Sequence, residues 1–161
     1  MMNINLARWT MASIAVYFKA VSDSLSLTFF VEGVDEREED TMRSEHAELR
    51  VNGPFVREIS HGYWRVHLDI NVLLTDQMKM STEDAYNINR WGGEFLKAMT
   101  ENIPIYRFGT GADDDGTLVG CLTQRTGFSE PARLIHFGQI RREDRIRQAA
   151  VDGRFEMFLS M

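Results

Sequence analysis

The chain of 161 residues contains a single cysteine, Cys121. One thiol cannot close an intrachain disulfide or build a cysteine-based zinc site, and a reducing compartment is the simple reading. An excess of positive charge is also missing, since 18 Lys and Arg stand against 24 Asp and Glu for a net charge of −6. Gripping nucleic acid relies on counterion release at a basic patch, so the acidic balance argues against a DNA-binding role. No long, unbroken apolar run occurs. Residues 4–21 come nearest, but Asn5, Arg8 and Lys19 interrupt them, and they fall short of the roughly 20 residues of a membrane span. Only Arg8 offers the positive charge that a secretory signal would want, so this stretch reads as a buried helix. Recognisable catalytic signatures are absent: there is no Gly-x-Ser-x-Gly elbow and no His-Glu-x-x-His helix. His46, His61 and His136 show no metal-ligand spacing with one another or with Cys121. No metal and no cofactor is expected.

What the chain does have is one strongly patterned stretch, Tyr63–Thr75, YWRVHLDINVLLT. Trp64, Val66, Leu68, Ile70, Val72 and Leu74 fall on every second residue, with Tyr63, Arg65, His67, Asp69 and Asn71 between them. Strand side chains alternate between faces, so this pattern predicts a long strand with one apolar and one polar surface. Glu48–Val51 and Phe55–Ile59 form the strand before it, turned or bulged at Asn52-Gly53-Pro54, and Ser60-His61-Gly62 closes the hairpin.

The flanking segments predict the rest. Residues 4–20 form a helix apolar on nearly all sides, buried by its own sheet or by a partner subunit. Ser22-Asp23-Ser24 breaks it, and Leu25–Glu32 is a strand. Residues 34–47 carry a run of acids and read as a solvated loop or mobile arm. A helix from Thr82 to about Glu101 starts at a capping-box-like Ser81 and Asp84, and contains Gly92-Gly93, which invites either a close approach or a kink. Strands follow at Ile105–Phe108, Leu118–Thr123 and Leu134–Ile140. Asp152-Gly153, between two β-like runs, signals a two-residue hairpin at the end of the chain. No repeat or linker divides the sequence, which predicts one domain over 1–161. It is an α+β fold with a largely antiparallel sheet, two main helices and a long central hairpin.

Candidate chemistry is sparse. His67 and Asp69 share the polar strand face with Arg65, and a His–Asp pair can orient a general base, but no nucleophile accompanies them in sequence. A hydrated or interfacial surface is the preferred reading of that face, and a structural role is preferred to an enzymatic one. The loop GTGADDDGT, with Asp113, Asp114 and Asp115, lacks the further glycines of a phosphate cradle and the spacing of an EF-hand, and reads as a flexible hairpin tip. Arg141, Arg142 and Arg145 oppose Asp35, Glu36, Glu38 and Glu39 in sign, which suggests an intersubunit charge contact.

The order of helix, strand, acidic loop, long hairpin, helix and further strands resembles the tail-terminator and head–tail connector proteins of tailed bacteriophages. The resembling segments are NLARWTMASIAVYF, AELRVNGPFVREIS paired with YWRVHLDINVLLT, DAYNINRWGGEFLKAM and RFEMFLS. The resemblance implies a structural virion protein, assembled in the host cytoplasm as a homo-oligomeric, usually hexameric, ring in the neck. It would cap the tail tube protein and meet the head connector, with DNA only passing through its lumen and no membrane involved. Another neck, stopper or tail-completion component, and a small α+β enzyme using His67 and Asp69, are the alternatives. Arg65, His67 and Asp69 on the polar face, with Asp113, Asp114 and Asp115 at the loop tip, are the candidate lumen or interface residues, and acidic side chains on a lumen wall would repel phosphates.

Overall fold

The computed structural model describes residues 3–35, 45–78, 85–125, 127, 130–141 and 145–160. Its elements run α1 (Leu6–Ser24), β1 (Thr28–Val31), β2 (His46–Ser60), β3 (Tyr63–Gln77), α2 (Asn87–Thr100), β4 (Ile103–Tyr106), β5 (Leu118–Gln124), β6 (Ala132–Arg141) and β7 (Ile146–Ser160). The seven strands form one curled sheet in the order β1-β2-β3-β7-β5-β4, with β6 also paired to β7. The fold is α+β. Every pairing is antiparallel except β1 with β2, which is parallel, so the sheet is mixed.

The alternation along β3 does what its period predicts. Val66, Leu68, Ile70, Val72 and Leu74 are all buried, while Arg65, His67, Asp69 and Asn71 are only partly covered. Burying each such aliphatic side chain is worth about 1.5–3 kcal/mol, and slipping the register by one residue would forfeit all of them at once. Against this face pack Leu6, Trp9, Ile14 and Phe18 of α1 with Ile88, Trp91, Phe95 and Met99 of α2. Phe18 stacks on Phe95 at 6.2 Å between ring centroids. Trp9 and Trp91 lie in this core, and Trp64 is half-buried at the end of it.

Several local expectations need correcting. The Ser22-Asp23-Ser24 triplet lies inside α1, because the Ser22 hydroxyl turns inward to donate to the Leu27 carbonyl at 3.0 Å. Asp152-Gly153 makes no hairpin, because β7 runs unbroken through it. Asn71 pairs with Asp152 and Ile70 with Gly153 in the middle of the β3–β7 ladder. Glycine is needed there for space: a Cβ on Gly153 would stand 2.6 Å from the Phe155 ring and 2.9 Å from the Met99 sulfur. Gly92 answers its own question in the same way, since a Cβ there would meet the Leu134 side chain of β6 at 2.8 Å. Of the turn or bulge expected at Asn52-Gly53-Pro54, the structure shows the bulge, within a continuous β2. Ser81 and Asp84 lie outside the described residues, as does most of the acidic segment 34–47.

Candidate functional site

The face of the sheet turned away from the helices collects the polar residues of three fifteen-residue strands. Register decides who meets whom. Arg65, His67, Asp69 and Asn71 of β3 stand opposite Phe158, Glu156, Arg154 and Asp152 of β7. On the other side they oppose Arg57, Phe55, Asn52 and Arg50 of β2. The structure therefore brings the predicted trio Arg65, His67 and Asp69 onto one surface, with neighbours contributed by β2 and β7.

Charges on this surface are largely neutralised in place. Arg65 grips the nearly buried Glu156 at 2.6 and 2.8 Å. Arg50 pairs with the buried Glu48 at 2.8 Å and approaches Glu32 at 3.8 Å. Asp152 accepts from the Asn71 amide and lies 3.6 Å from Arg133 of β6. His67 stacks on Phe55 at 5.2 Å, and its buried Nδ1 has no hydrogen-bond partner among the described residues. Burial pushes the imidazole below its ordinary 6.5, and the guanidinium groups of Arg125 and Arg65 add to this against the opposite pull of Asp69 and Glu156. The ring is thus neutral at pH 7.

Beside Asp69 the curled sheet forms a groove of about 510 Å³, bordered by Glu32, Arg50, Asn52, Asn71, Asp152 and Arg154. Among the described residues, no cluster of three His, Cys, Asp or Glu side chains is placed to hold a metal ion. No described helix is long and apolar enough to cross a membrane.

The other candidate residues lie elsewhere. Asp113, Asp114 and Asp115 follow β4, and of the three Asp114 meets the start of α1, on the helix side of the sheet. This loop is no loose tip, because Asp114 is tied down: its carboxylate takes two bonds from Arg8, at 2.8 and 2.9 Å, one from the Trp9 indole at 2.5 Å and one from the Gly111 amide at 2.8 Å. Together these hold it at about 2, with the Trp9 bond as the largest cause. Asp115 receives the Thr117 hydroxyl and amide, which also lowers its pKa. Asp35 turns back to accept from the Val31 amide at 2.7 Å. Arg145 is exposed at the turn into β7. Glu36, Glu38, Glu39, Arg142 and the Arg141 side chain lie outside the described residues.

Sequence reasoning missed Glu156, Asp152, Arg50 and Arg133. Glu156 and Asp152 meet Arg65 and Asn71 across the β3–β7 pairing, 91 and 81 residues apart. Arg50 and Arg133 lie on strands paired with their sequence neighbours, and were missed because that pairing had not been assigned to their side chains. Alternation through RFEMFLS could have placed Glu156 on the polar face, had Asp152-Gly153 not been taken for a turn.

No family model matches the chain, nor does any curated protein. One solved structure, whose name is a bare sequence identifier, superposes with a TM-score of 0.51 at 10% identity, covering 97% of this chain and 96% of that chain. At that identity the likeness extends to the fold alone: an α+β chain with two helices on one side of a curled, mixed sheet.

Proposed function

We propose that the chain is a ring-forming structural protein in the neck of a tailed bacteriophage, a tail terminator that caps the tail tube and joins it to the head connector. The observation that carries this reading is the neutralised polar face. Three of its arginines, Arg50, Arg65 and Arg133, each sit beside an acid, Glu48, Glu156 and Asp152. A lumen wall built this way presents hydrogen-bonding groups to water but few unsatisfied cations to phosphates, so DNA slides past without sticking. The net charge of −6 works in the same direction. The order of elements, with a long hairpin between two helices, resembles that of the family, although the second half of the chain is richer in strands.

The test is immunogold labelling of phage particles that carry this protein, combined with native mass measurement of the purified chain. Label confined to the head–tail joint and a closed oligomer support the reading. Label distributed along the tail, or absent from particles, overturns it. A second reading, a small enzyme using His67 and Asp69, draws on the groove of about 510 Å³ beside Asp69; turnover lost in His67→Ala would favour it.

A further inference from the structure

Two apolar surfaces on this chain have no partner among the described residues. The first lies at the end of the polar sheet face, where alternation should place polar groups. Phe55, Tyr63 and Phe158 occupy that end at 46%, 42% and 48% exposure, with Ile59 at 52% beside them. Tyr63 and Phe158 stack at 6.1 Å with an 11° tilt, which fixes them as one flat plate, and exposed Arg57 stands at its margin. Exposed aromatic clusters of this kind mark association surfaces, because stiff rings bury large area at low entropic cost.

The second is a groove of about 470 Å³ between α1 and the end of α2, bordered by β4 and the chain beyond it. Exposed Val16 and Ala20 of α1 line it with Tyr17, Ala98, Pro104 and Phe108. This is the stripe that makes α1 apolar on more sides than its own sheet can cover. At the rim stand Glu94 and Glu101, which outnumber Lys97. Tyr17 registers that field: burial raises its phenol, and the charge of Glu101 raises it further.

We propose that the aromatic plate of one copy of this chain docks into the α1–α2 groove of the next copy. An aromatic plate with a cation at its margin matches an apolar groove with an acidic rim. The plate lies on the sheet face turned away from the helices and the groove is lined by helix residues, so one chain cannot join them. The contact is therefore heterologous, and repeated contacts of that kind close into a ring when the rotation permits. Pairing through the sheet edge is the competing geometry, and the two longest free edges, on β2 and β6, are blunted against it. Beyond Leu49 the outer side of β2 has no strand partner among the described residues, yet the Gly53-Pro54 bulge interrupts it, and β6 carries two register shifts. This inference rests on the ring reading above and names the surfaces that would build the ring.

Two defective copies test it. Tyr63→Glu with Phe158→Ser spoils the plate, and Val16→Glu with Ala20→Glu spoils the groove; all four positions are exposed. Sedimentation velocity is expected to show each variant alone as a monomer, its self-association at least tenfold weaker than that of the unaltered chain. Their mixture is expected to form a 1:1 dimer, because one intact plate still meets one intact groove. As a second measurement, Arg57→Glu and Glu101→Arg should each loosen assembly and together restore it. Assembly unchanged by all these substitutions overturns this interface and leaves the ring reading standing. An unaltered chain that stays monomeric at high concentration, with no dimer in the mixture, overturns both.

Discussion

The indole of Trp9 and the two guanidinium bonds of Arg8 converge on one carboxylate, Asp114, more than a hundred residues away in sequence. The Asp114 side chain is only 1% exposed, so the start of α1 and the loop after β4 form one clamp. Gly109 makes room for it: at φ +152°, a Cβ would collide with both the Arg8 guanidinium and the Asp114 carboxylate.

Acid should open this clamp. The folded carboxyl sits at about 2, below its ordinary 3.8, so protons bind the unfolded chain more readily. The stability it contributes is complete above 3.8 and is lost as pH falls from there towards about 2. Asp114→Asn should remove this component of the acid limb, and Gly109→Ala should expose the loop to protease several-fold faster. Combining the two should add little to either alone, since both break one contact. Thermal melts between pH 2 and 5, with limited proteolysis, check this. An unchanged acid limb in Asp114→Asn would refute the clamp.

A second ion pair binds the far end of the sheet. Arg147 of β7 reaches Asp76 of β3 at 2.5 and 2.7 Å and also donates to the Ala85 carbonyl, at 2.6 Å, just before α2. Asp76 is 1% exposed and Arg147 16%, so water replaces little of what a truncation removes. Asp76→Ala is expected to cost about 3 kcal/mol in urea unfolding, because it strands a largely buried guanidinium. Replacing both, Asp76→Leu with Arg147→Met, should cost markedly less than the single change. Equal losses would mean that the pair itself, and not the stranded charge, carries the energy.

The long strand β3 was legible because one buried face forces strict alternation, and alternation survives in a single sequence. The helices were legible from their apolar faces, though not to the residue at their ends. What stayed hidden depends on distance along the chain. Nothing near Asp114 announces Arg8, and nothing near Arg65 announces Glu156. Local chemistry also misled where packing overrode it: Asp152-Gly153 has the residues of a tight turn, yet its glycine serves a crowded spot between Met99 and Phe155. The predicted trio on β3 was found together for the same reason that β3 was found at all.

That crowding gives a third expectation. Alanine suits a strand better than glycine on backbone entropy alone. Gly153→Ala should nevertheless destabilise the protein by about 1–3 kcal/mol, because the added methyl group presses on a packed ring and sulfur. In a Met99→Ala background, itself destabilised by the cavity it leaves, the further cost of Gly153→Ala should be smaller, since one of the two contacts is cleared. Denaturant midpoints of the single and double variants check it. A stabilised Gly153→Ala would return the dipeptide to a turn-like geometry.

His67 supplies the last test, and the only one centred on the predicted polar trio. Its folded pKa lies below the unfolded 6.5, so the unfolded chain takes up the proton first. Stability should therefore fall as pH drops through 6.5, and the loss should stop growing once pH passes below the folded value. The neighbours set the direction of each variant. Arg125→Gln removes a cation that lowers the pKa and should raise it. Glu156→Gln removes an acid that raises it and also leaves Arg65 without its partner, so both effects should lower it further. Imidazole proton shifts followed by NMR from pH 4 to 8 read all three proteins directly. A midpoint at or above 6.5 in the unaltered chain would mean that the ring is more hydrated than its stack on Phe55 implies, and that the polar face opens to water between β2 and β3.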